Sequence, residues 1–571
     1  MKTFTFLFFC VLCWKSSAAQ QALTAGDSSQ KSKGPKVQLL GEVIVSKGYY
    51  ETDGPEGGNG QFSPITANGQ ITLVSRSGWL VPVSFNWSSE KFLYRQPYNQ
   101  IGVSPQYRGW LKMHGGYRNV YFSPLTLAGH SFLGGGVELN PGALRIGAVY
   151  GKFNKAIEAN FADPDRVPSF SRTGYSVKVG LGNQRDYFDV ILLKASDDAG
   201  SVSTKNIPLA PAENLVLGIS SRLHFGAKTY LEVDAAASAY TNDLRVEEVA
   251  AEKIQSPDRE LHAQYLQHTQ EFFKPRASTQ AYSSVQAMLS RRGKFMDIRL
   301  KYKRTEPGYK SMGAYYFQTD IEHFLVAPGF KFFKNRLTLQ TSVGYQHDNL
   351  LNQKRTRTNR LIGSASLALT TKNDASIDLN FSNYGITQKA GYVPLNDTLR
   401  LAQNNRTFSV GLTRLWMRGG AVHSVFMTAI YQHLQDLNPF TANYNQSRNL
   451  NYLFNYSFQH LASSLDINVG YSYTRTQGFG FFTSFGGPSL TVNRKFFKES
   501  KLGILLNISY LRSRENINDL IQKGFVLSNS LGIDYQMTPV HRFALNWGLV
   551  KNQGAASFYQ NQGTIQYSMS F

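Results

Sequence analysis

Histidine and serine residues are the first places to look for chemistry in this sequence, and their spacing does not favour catalysis. His130 and Ser131 are adjacent in the stretch AGHSF. Neighbouring residues of a strand project to opposite faces, so these two side chains cannot act as a nucleophile and its base. His262 and His268 are spaced in a way that does not bring two metal ligands together on one helix. We therefore predict no catalytic residue, no metal site and no cofactor.

Cations in FMDIRLKYKR, residues 295–304, are the best candidates for a functional group. Apolar and charged residues alternate here, so the apolar set can face outward while Arg299, Lys301 and Lys303 share one inner wall beside Asp297. Three cations on one wall attract anions. The alternative is that they pair with acidic residues of a loop and only fix that loop, since structural ion pairs use the same residue types. The acidic candidates are Glu247, Glu248 and Glu252.

The elements that would carry such a wall are strands, because apolar residues recur at every second position. Leu465, Ile467 and Val469 alternate with Asp466 and Asn468, whereas a helix would repeat every 3.6 residues. The chain ends on the same pattern in TIQYSMSF, residues 564–571. One face of each strand is apolar and the other is polar.

The spacing of the strands predicts an all-β fold. Short turns such as NPGA at 140–143 and MRGG at 417–420 are typical of hairpins. Long polar segments separate the hairpins, for example 154–171, 383–406 and 434–447. We predict a large transmembrane antiparallel β-barrel of about 26 strands, within about two, with short periplasmic turns and long extracellular loops. Its first strand, residues 37–46, must pair with the last to remove every free edge.

The first residues predict export. Lys2 precedes a short apolar stretch, and SSAAQ offers small residues for cleavage after Ala19. We therefore expect a signal peptide at 1–19, a short periplasmic segment at 20–36 and the barrel at 37–571. Both cysteines, Cys10 and Cys13, fall within the signal, so the mature chain has no thiol for a disulfide, a zinc site or a cysteine nucleophile.

The composition favours a membrane partner. Aromatic residues make up 13% of the chain, which exceeds what a solvated surface needs and suits a barrel whose rings meet lipid. The formal net charge is +22, which implies anionic surroundings such as outer-membrane lipids or anionic solutes. The cations are scattered rather than gathered in one stripe, so we expect no nucleic-acid partner.

The last alternating residues also predict how the barrel is inserted. Tyr567, Met569 and Phe571 would share the outward face of the final strand. Bacterial barrels resemble one another in ending on an aromatic residue that the barrel-assembly machinery recognises. We expect these three residues to form that signal and the protein to lie in the cell outer membrane.

One stretch carries a family resemblance. YRNVYFSPLTLAGHSFLGGGVELNPGALRIGAVYGKF, residues 117–153, resembles poorly characterised outer-membrane barrel proteins of the Bacteroidota type. The resemblance implies a porin-like barrel and its location, and it implies no catalytic residues. The glycines within it lack the lysine of a phosphate-binding loop and indicate a bent hairpin strand.

A barrel of this size would have a wide lumen, which some element must narrow. We expect no N-terminal plug domain, because residues 20–36 are too few. The best candidate is the loop 242–279, in which SPDRELHAQYLQHTQEFF predicts an amphipathic helix. Leu261, Tyr265 and Phe272 would lie near one face and constrict the mouth; a solvated helix on the outer surface is the alternative.

These expectations leave two functions open. The first is an outer-membrane channel for the passive or partner-gated passage of solutes, with a possible preference for anions. The second is a structural or protein-translocation barrel whose lumen is plugged by a partner lipoprotein or a polypeptide. A barrel enzyme is not expected.

Overall fold

The computed structural model describes residues 37–53, 60–89, 99–160, 167–204, 207–315, 318–390, 402–438, 440–554 and 557–571. These residues form one antiparallel sheet of 28 strand segments. Two strands are each interrupted once, so the sheet has 26 strands. The first half comprises β1 (Val37–Asp53), β2 (Gly60–Phe62 and Ile65–Ser75), β3 (Trp79–Ser88), β4 (Gln100–Val103 and Gln106–Tyr107), β5 (Leu111–Tyr121), β6 (Ala128–Leu139), β7 (Leu144–Asn154), β8 (Arg172–Gly182), β9 (Tyr187–Asp197), β10 (Glu213–Phe225), β11 (Thr229–Thr241), β12 (Thr279–Arg291) and β13 (Met296–Thr305). The second half comprises β14 (Ile321–Phe332), β15 (Leu337–His347), β16 (Thr356–Thr370), β17 (Ala375–Ala390), β18 (Ala402–Arg418), β19 (Ala421–Asp436), β20 (Ser447–His460), β21 (Leu465–Gly478), β22 (Phe481–Phe496), β23 (Leu502–Ile517), β24 (Leu520–Gln536), β25 (His541–Gln553) and β26 (Phe558–Ser570).

The sheet closes on itself, because the first and last strands pair. β1 and β26 are antiparallel from Glu42 opposite Ser570 to Asp53 opposite Tyr559. Beyond the last rung, Phe571 and Gly41 exchange two backbone hydrogen bonds of 2.8 and 3.0 Å. Every strand therefore has two neighbours and no edge is left open, which removes the unpaired backbone groups that hydrocarbon would not tolerate. The predicted fold class and strand number are confirmed.

The two faces of the sheet differ in polarity, as the alternation predicts. Residues directly opposite each other on paired strands share a face. Val469 of β21 faces the same side as Tyr456 of β20 and Leu490 of β22, and all three are apolar. Its neighbour Asn468 faces the same side as Ser457 and Thr491. The apolar face is the outer wall, and the polar face lines the lumen.

Short turns join the strands at one end, which we call the turn end. Gly419 and Gly420 connect β18 to β19 with positive φ angles of 60° and 76°. A two-residue turn of this kind matches the twist of the strands, and it requires residues that tolerate positive φ. The hairpin turns predicted at residues 140–143 and 417–420 are both found.

The opposite end, which we call the loop end, is less regular than the sequence predicts. Residues 154–171 form a long connection, but the loop predicted at 383–406 is shorter, because β17 continues to Ala390 and β18 begins at Ala402. Two-residue turns, 479–480 and 518–519, also occur at this end. The prediction was wrong here because polar residues at strand ends resemble loop residues, although they are paired across the sheet.

Helices are few. Among the described residues, α1 (Arg259–His268) and α2 (Ala442–Asn445) are α-helical, and Ala251–Lys253 and Lys498–Ser500 form 3-10 turns. Neither α-helix in this part of the chain is long and apolar enough to cross a membrane.

The strands differ in length around the barrel. β9 has 11 residues and β13 has 10, whereas β18 and β24 have 17 each. At about 3.3 Å per residue, the long strands extend about 20 Å beyond the short ones. The wall from β16 to β24 is therefore taller than the wall from β5 to β13.

Candidate functional site

The lumen wall is the candidate site, and β13 brings the predicted cations to it. Arg299 faces the same side as Ser290 of β12, and Lys303 faces the same side as Gln286. Gln286 donates a hydrogen bond of 3.0 Å to Asp234, which lies on the lumen face of β11. Arg299, Lys301 and Lys303, which we call the cationic rung, therefore share the polar lumen face.

No carboxylate neutralises the cationic rung among the residues that the structure describes. Asp297, on the same strand, pairs with Lys331 of β14. Of the loop carboxylates considered as partners, Glu248 lies 3.3 Å from Arg276, and Glu252 accepts a hydrogen bond of 2.5 Å from Gln267. Pairing of the rung with these loop carboxylates is not seen.

Several other lumen cations are paired with carboxylates, in a network near the turn end that the sequence did not reveal. Arg145 of β7 holds Asp189 of β9 through two hydrogen bonds of 2.8 and 2.9 Å. Arg222 and Glu232 pair in the same way across β10 and β11. Arg145 and Asp189 are 44 residues apart, whereas Arg222 and Glu232 lie on the two strands of one hairpin, and in both cases the register of the strands identifies the pair.

Ser104, His114 and Glu138 form a chain of hydrogen bonds in the same region. Ser104 Oγ lies 3.2 Å from His114 Nδ1, and His114 Nε2 lies 2.9 Å from Glu138 Oε1. Ser104 and His114 are both buried, and Glu138 also pairs with Lys112 at 3.4 Å. A hydrolytic serine must be reachable by its substrate, so we interpret this chain as bracing of the wall.

Two loop-end connections fold into the lumen and pack against each other. We call residues 122–127 and 306–315 the inner segments. Tyr309 is fully buried and its hydroxyl donates a hydrogen bond of 2.6 Å to the Leu125 carbonyl. Ser311 Oγ donates one of 2.7 Å to the Thr126 carbonyl. The two connections therefore form one unit.

The inner segments are also fixed to the lumen wall. The Met312 N–H donates a hydrogen bond of 2.9 Å to Asn214 of β10, and Ser238 of β11 donates one of 2.6 Å to the Lys310 carbonyl. A β-carbon on Gly313 would lie 2.6 Å from the backbone carbonyl oxygen of Thr126 and 2.4 Å from Leu193, so only glycine fits there. Apolar side chains of both segments and of β6 to β12 form the largest buried cluster, which includes Leu127, Phe132, Phe153, Leu193, Val216 and Tyr309.

The predicted constriction helix exists, but it lies on the outer wall. Leu266 and Phe273 are buried against Leu215, Ala239 and Ala281. Leu215 and Ala239 are paired on the face opposite to that of Val216 and Ser238, which line the lumen. The loop 242–278, which we call the outer cover, therefore packs on the outside of β10 to β12.

The three residues named for the constriction have different positions. Tyr265 contacts the wall, with its hydroxyl 3.5 Å from the Leu215 carbonyl. Phe272 follows the end of α1 at His268 and is half exposed, while its carbonyl accepts a hydrogen bond from Lys194. Leu261 lies within α1, and its side chain is outside the described residues. None of these positions supports a constriction, because a helix with an apolar stripe can bury it against either side of the wall.

The residues of the predicted assembly signal lie in the closing strand. Met569 is buried, opposite Val43 of β1 and His541 of β25. The Tyr567 hydroxyl lies 2.7 Å from His541 Nδ1. Phe571 follows the strand and bonds to Gly41. Their recognition by the assembly machinery stays a prediction.

His262 and His268, the histidines considered as metal ligands, have separate hydrogen-bond partners. His262 Nδ1 lies 2.5 Å from Ser256 Oγ, whereas His268 Nδ1 lies 2.7 Å from the Gln264 carbonyl. Across the described ranges, no three histidine, cysteine, aspartate or glutamate side chains come close enough to hold a metal ion.

Comparisons with known proteins identify no family. No family model and no curated protein matches the chain. The translocation pore of the P pilus usher PapC is similar at a TM-score of 0.36 and 10% identity, over 94% of this chain and 100% of that chain. Pseudomonas aeruginosa OccK2, solved with glucuronate, gives 0.30 and 9%, over 93% and 96%. A BenF-like porin from Pseudomonas fluorescens gives 0.30 and 11%, over 93% and 99%. Likenesses this low carry no information on what passes through this barrel, and the resemblance of residues 117–153 to Bacteroidota barrels stays a prediction.

Proposed function

We propose that this protein is an outer-membrane channel that lets polar solutes pass passively or under the control of a partner. The observation that carries the proposal is the closed cylinder of 26 strands with an apolar outer wall and a polar inner wall. A wall of this kind is stable only when hydrocarbon surrounds it and water fills it. The signal peptide at 1–19, which lies outside the described residues, would direct the chain to that membrane.

The size of the cylinder supports an open passage. Strands about 4.8 Å apart and tilted by about 40° give a barrel of this strand number a diameter of about 50 Å. The inner segments pack as one layer against β6 to β12, and a packed layer adds only about 10 Å. On these dimensions they narrow the lumen on one side, and no described segment packs against the lumen face of the wall from β16 to β26.

The cationic rung would give this passage a preference for anions. Arg299 and Lys301 are exposed to the lumen, and Lys303 is half-buried beside Gln286. Because no carboxylate pairs with them among the described residues, their charge acts on passing ions. The paired cations at the turn end would contribute little, because Asp189 and Glu232 neutralise them.

The test is electrical. The full chain is inserted into planar bilayers under a tenfold KCl gradient, and the reversal potential is compared with that of the triple variant Arg299→Gln, Lys301→Gln, Lys303→Gln. We expect discrete currents with a reversal potential on the anion side, and a shift toward zero in the variant. A matched variant changes the paired cations Arg145 and Arg222 to Gln together with Asp189→Asn and Glu232→Gln, and it should keep the selectivity. An unchanged reversal potential in the triple variant would refute the role of the rung.

A structural or translocation barrel filled by a partner is the second candidate. The uncovered wall from β15 to β26 favours it, because its lumen face is rich in side-chain amides and hydroxyls that can bond to a polypeptide, such as Asn468, Thr491 and Asn507. If the purified chain gives no current and a subunit co-purifies from the native membrane, this second function is supported and the channel is not.

A further inference from the structure

Basic side chains form a row on the outer wall at the loop end of the second half of the barrel. Each lies on the outward face of its strand, as the register of the pairs requires. We call this row the basic belt. Its main members are Arg357 of β16, Arg406 of β18, Arg448 of β20, Arg475 of β21, Arg512 of β23 and Lys551 of β25.

The belt follows directly beyond the apolar band. Arg406 and Arg448 lie on either side of His433 in one continuous rung across β18 to β20. The next outward rung toward the membrane is apolar, with Phe408 opposite Tyr431. The same order recurs on β23, where Arg512 follows Tyr510. The cations therefore lie where aromatic side chains mark the border between hydrocarbon and head groups.

The belt has no acidic partner in the part of the chain that the structure describes. Arg406, Arg448 and Arg512 are exposed, and no Asp or Glu lies on the outward rungs at this end from β16 to β25. Two outward cations on the side with the shorter strands are paired instead: Arg304 lies 3.4 Å from Glu322, and Lys194 lies 3.2 Å from Glu213.

Several polar atoms of this surface are buried without a hydrogen-bond partner, and two of them belong to the belt or lie within it. They are His433 Nε2, which lies between two belt arginines, and Arg357 Nε. Both atoms can donate a hydrogen bond, so a ligand that supplies acceptors would satisfy them, whereas the buried amide oxygens of Asn404 and Asn529 on the same outer face would need donors. The surface thus offers excess positive charge and unused hydrogen-bonding capacity together.

The long strands of this side place the belt at the level of the lipid head groups. β18 has 17 residues and β23 has 16. At about 3.3 Å per residue and a tilt of about 40°, such strands rise about 40 Å, whereas the apolar band of an outer-membrane barrel is about 25 Å tall. The outward residues at their loop ends therefore lie above the hydrocarbon, at the level of lipid head groups.

We propose that the basic belt binds the phosphate groups of glycolipids in the outer leaflet, of the lipid A type. This inference rests on the placement of the barrel in an outer membrane. Arginine binds phosphate through a fork of donors, and lipid phosphates at the head-group level are the anions that a row along the aromatic border would meet. A soluble partner would not require the cations to follow that border across β16 to β25.

The test compares two fourfold variants of the full chain in detergent. The belt variant carries Arg406→Gln, Arg448→Gln, Arg475→Gln and Arg512→Gln. The matched control removes four outward cations at the turn end, with Arg291→Gln, Arg414→Gln, Arg418→Gln and Arg494→Gln. Native mass spectrometry measures binding of bisphosphorylated lipid A during a titration. A basic side chain near an anionic lipid surface contributes about fivefold to binding, so we expect the belt variant to bind at least about tenfold more weakly than the unmodified chain and the control.

Three outcomes would overturn the inference. The belt variant and the control could lose lipid A binding to the same extent, or the unmodified chain could bind dephosphorylated lipid A as tightly as bisphosphorylated lipid A. Inorganic phosphate at the same concentration could also displace lipid A. The mobility of unboiled protein on a denaturing gel confirms that each variant is folded. Currents in planar bilayers are measured separately: weaker lipid binding by the belt variant alone, with intact currents, would support this inference, and unchanged lipid binding with intact currents would refute it while the channel stands.

Discussion

Single residues in the outer cover connect its stability to pH. His262 on α1 is 1% exposed, and its Nδ1 lies 2.5 Å from Ser256 Oγ. Burial lowers the pKa of the His262 imidazole, and the negative charges of Glu306 and Asp258 oppose only part of this effect. The folded cover therefore favours the neutral form of His262.

Because the pKa of His262 is lower in the folded cover than the unfolded value of about 6.5, the unfolded cover binds more protons below that pH. The cover should be fully stable above about pH 6.5 and lose stability as the pH falls below it. We expect the protection factors of the amides at 259–268, taken relative to the intrinsic exchange rates at each pH, to be lower at pH 5.5 than at pH 7.5. His262→Gln should abolish the difference, whereas His268→Gln, at an exposed position, should retain it. Equal protection at both pH values in the unmodified chain would contradict this.

The neighbours of a residue in the sequence predict the face of the strand on which it lies, but not its partner on another strand. Alternation alone placed Arg299, Lys301 and Lys303 on the polar face, because the period of a strand fixes the side of every residue. It could not identify the partner of Asp297, because Lys331 comes from the next strand and only the register brings it close. Orientation is local information, whereas pairing is not.

At the scale of elements, a helix was predictable and its place was not. Ser256 and Pro257 mark the start of the helical region, and α1 begins at Arg259. Its apolar stripe required burial, but the lumen face and the outer face of β10 to β12 both offer apolar surface. The inner segments gave no sequence signal, because 122–127 and 306–315 are short irregular stretches without periodicity.

The positions of these two elements predict opposite effects of deletion. Replacing residues 309–314 by a short Gly-Ser linker should raise single-channel conductance by a fraction rather than by a multiple, because the inner segments cover one side of a lumen about 50 Å across. Deleting 259–268 should leave conductance unchanged, since α1 lies outside. A larger conductance after the second deletion than after the first would contradict the assignment of inside and outside. Thermal loss of the unboiled gel band checks that both deletions are folded.

At the scale of the whole molecule, the closed barrel separates an outer face from a lumen face, and the face on which a residue lies determines how a substitution affects stability. Val469 and Asn468 are adjacent on β21 and contact opposite environments. A lysine facing hydrocarbon near the middle of the membrane costs about 2–4 kcal/mol, whereas a substitution in a polar lumen usually stays within about 0.5 kcal/mol. Val469→Lys should therefore lower the temperature at which the unboiled gel band converts to the unfolded one, and Asn468→Lys should leave it nearly unchanged. Equal shifts would mean that the wall does not separate lipid from water.

The number of strands was predictable for a global reason. Hydrogen bonding must close the sheet, so the count of hairpins set the count of strands even where the ends of individual strands were wrong. The tall and short sides of the wall were not predictable, because polar strand ends such as residues 383–390 resemble loops until their partners are known.

The unequal height of the barrel wall also affects the route by which a solute would reach the lumen. At the loop end, the strands from β16 to β24 extend farther than the strands from β5 to β13. We expect a solute that approaches from the loop end to meet less strand wall on the side of β5 to β13 than on the side of β16 to β24. A solute on that path would pass the inner segments and the cationic rung before it meets the wall opposite, whose lumen face carries charges of both signs, among them Arg360, Asp466 and the pair of Asp534 and Arg542.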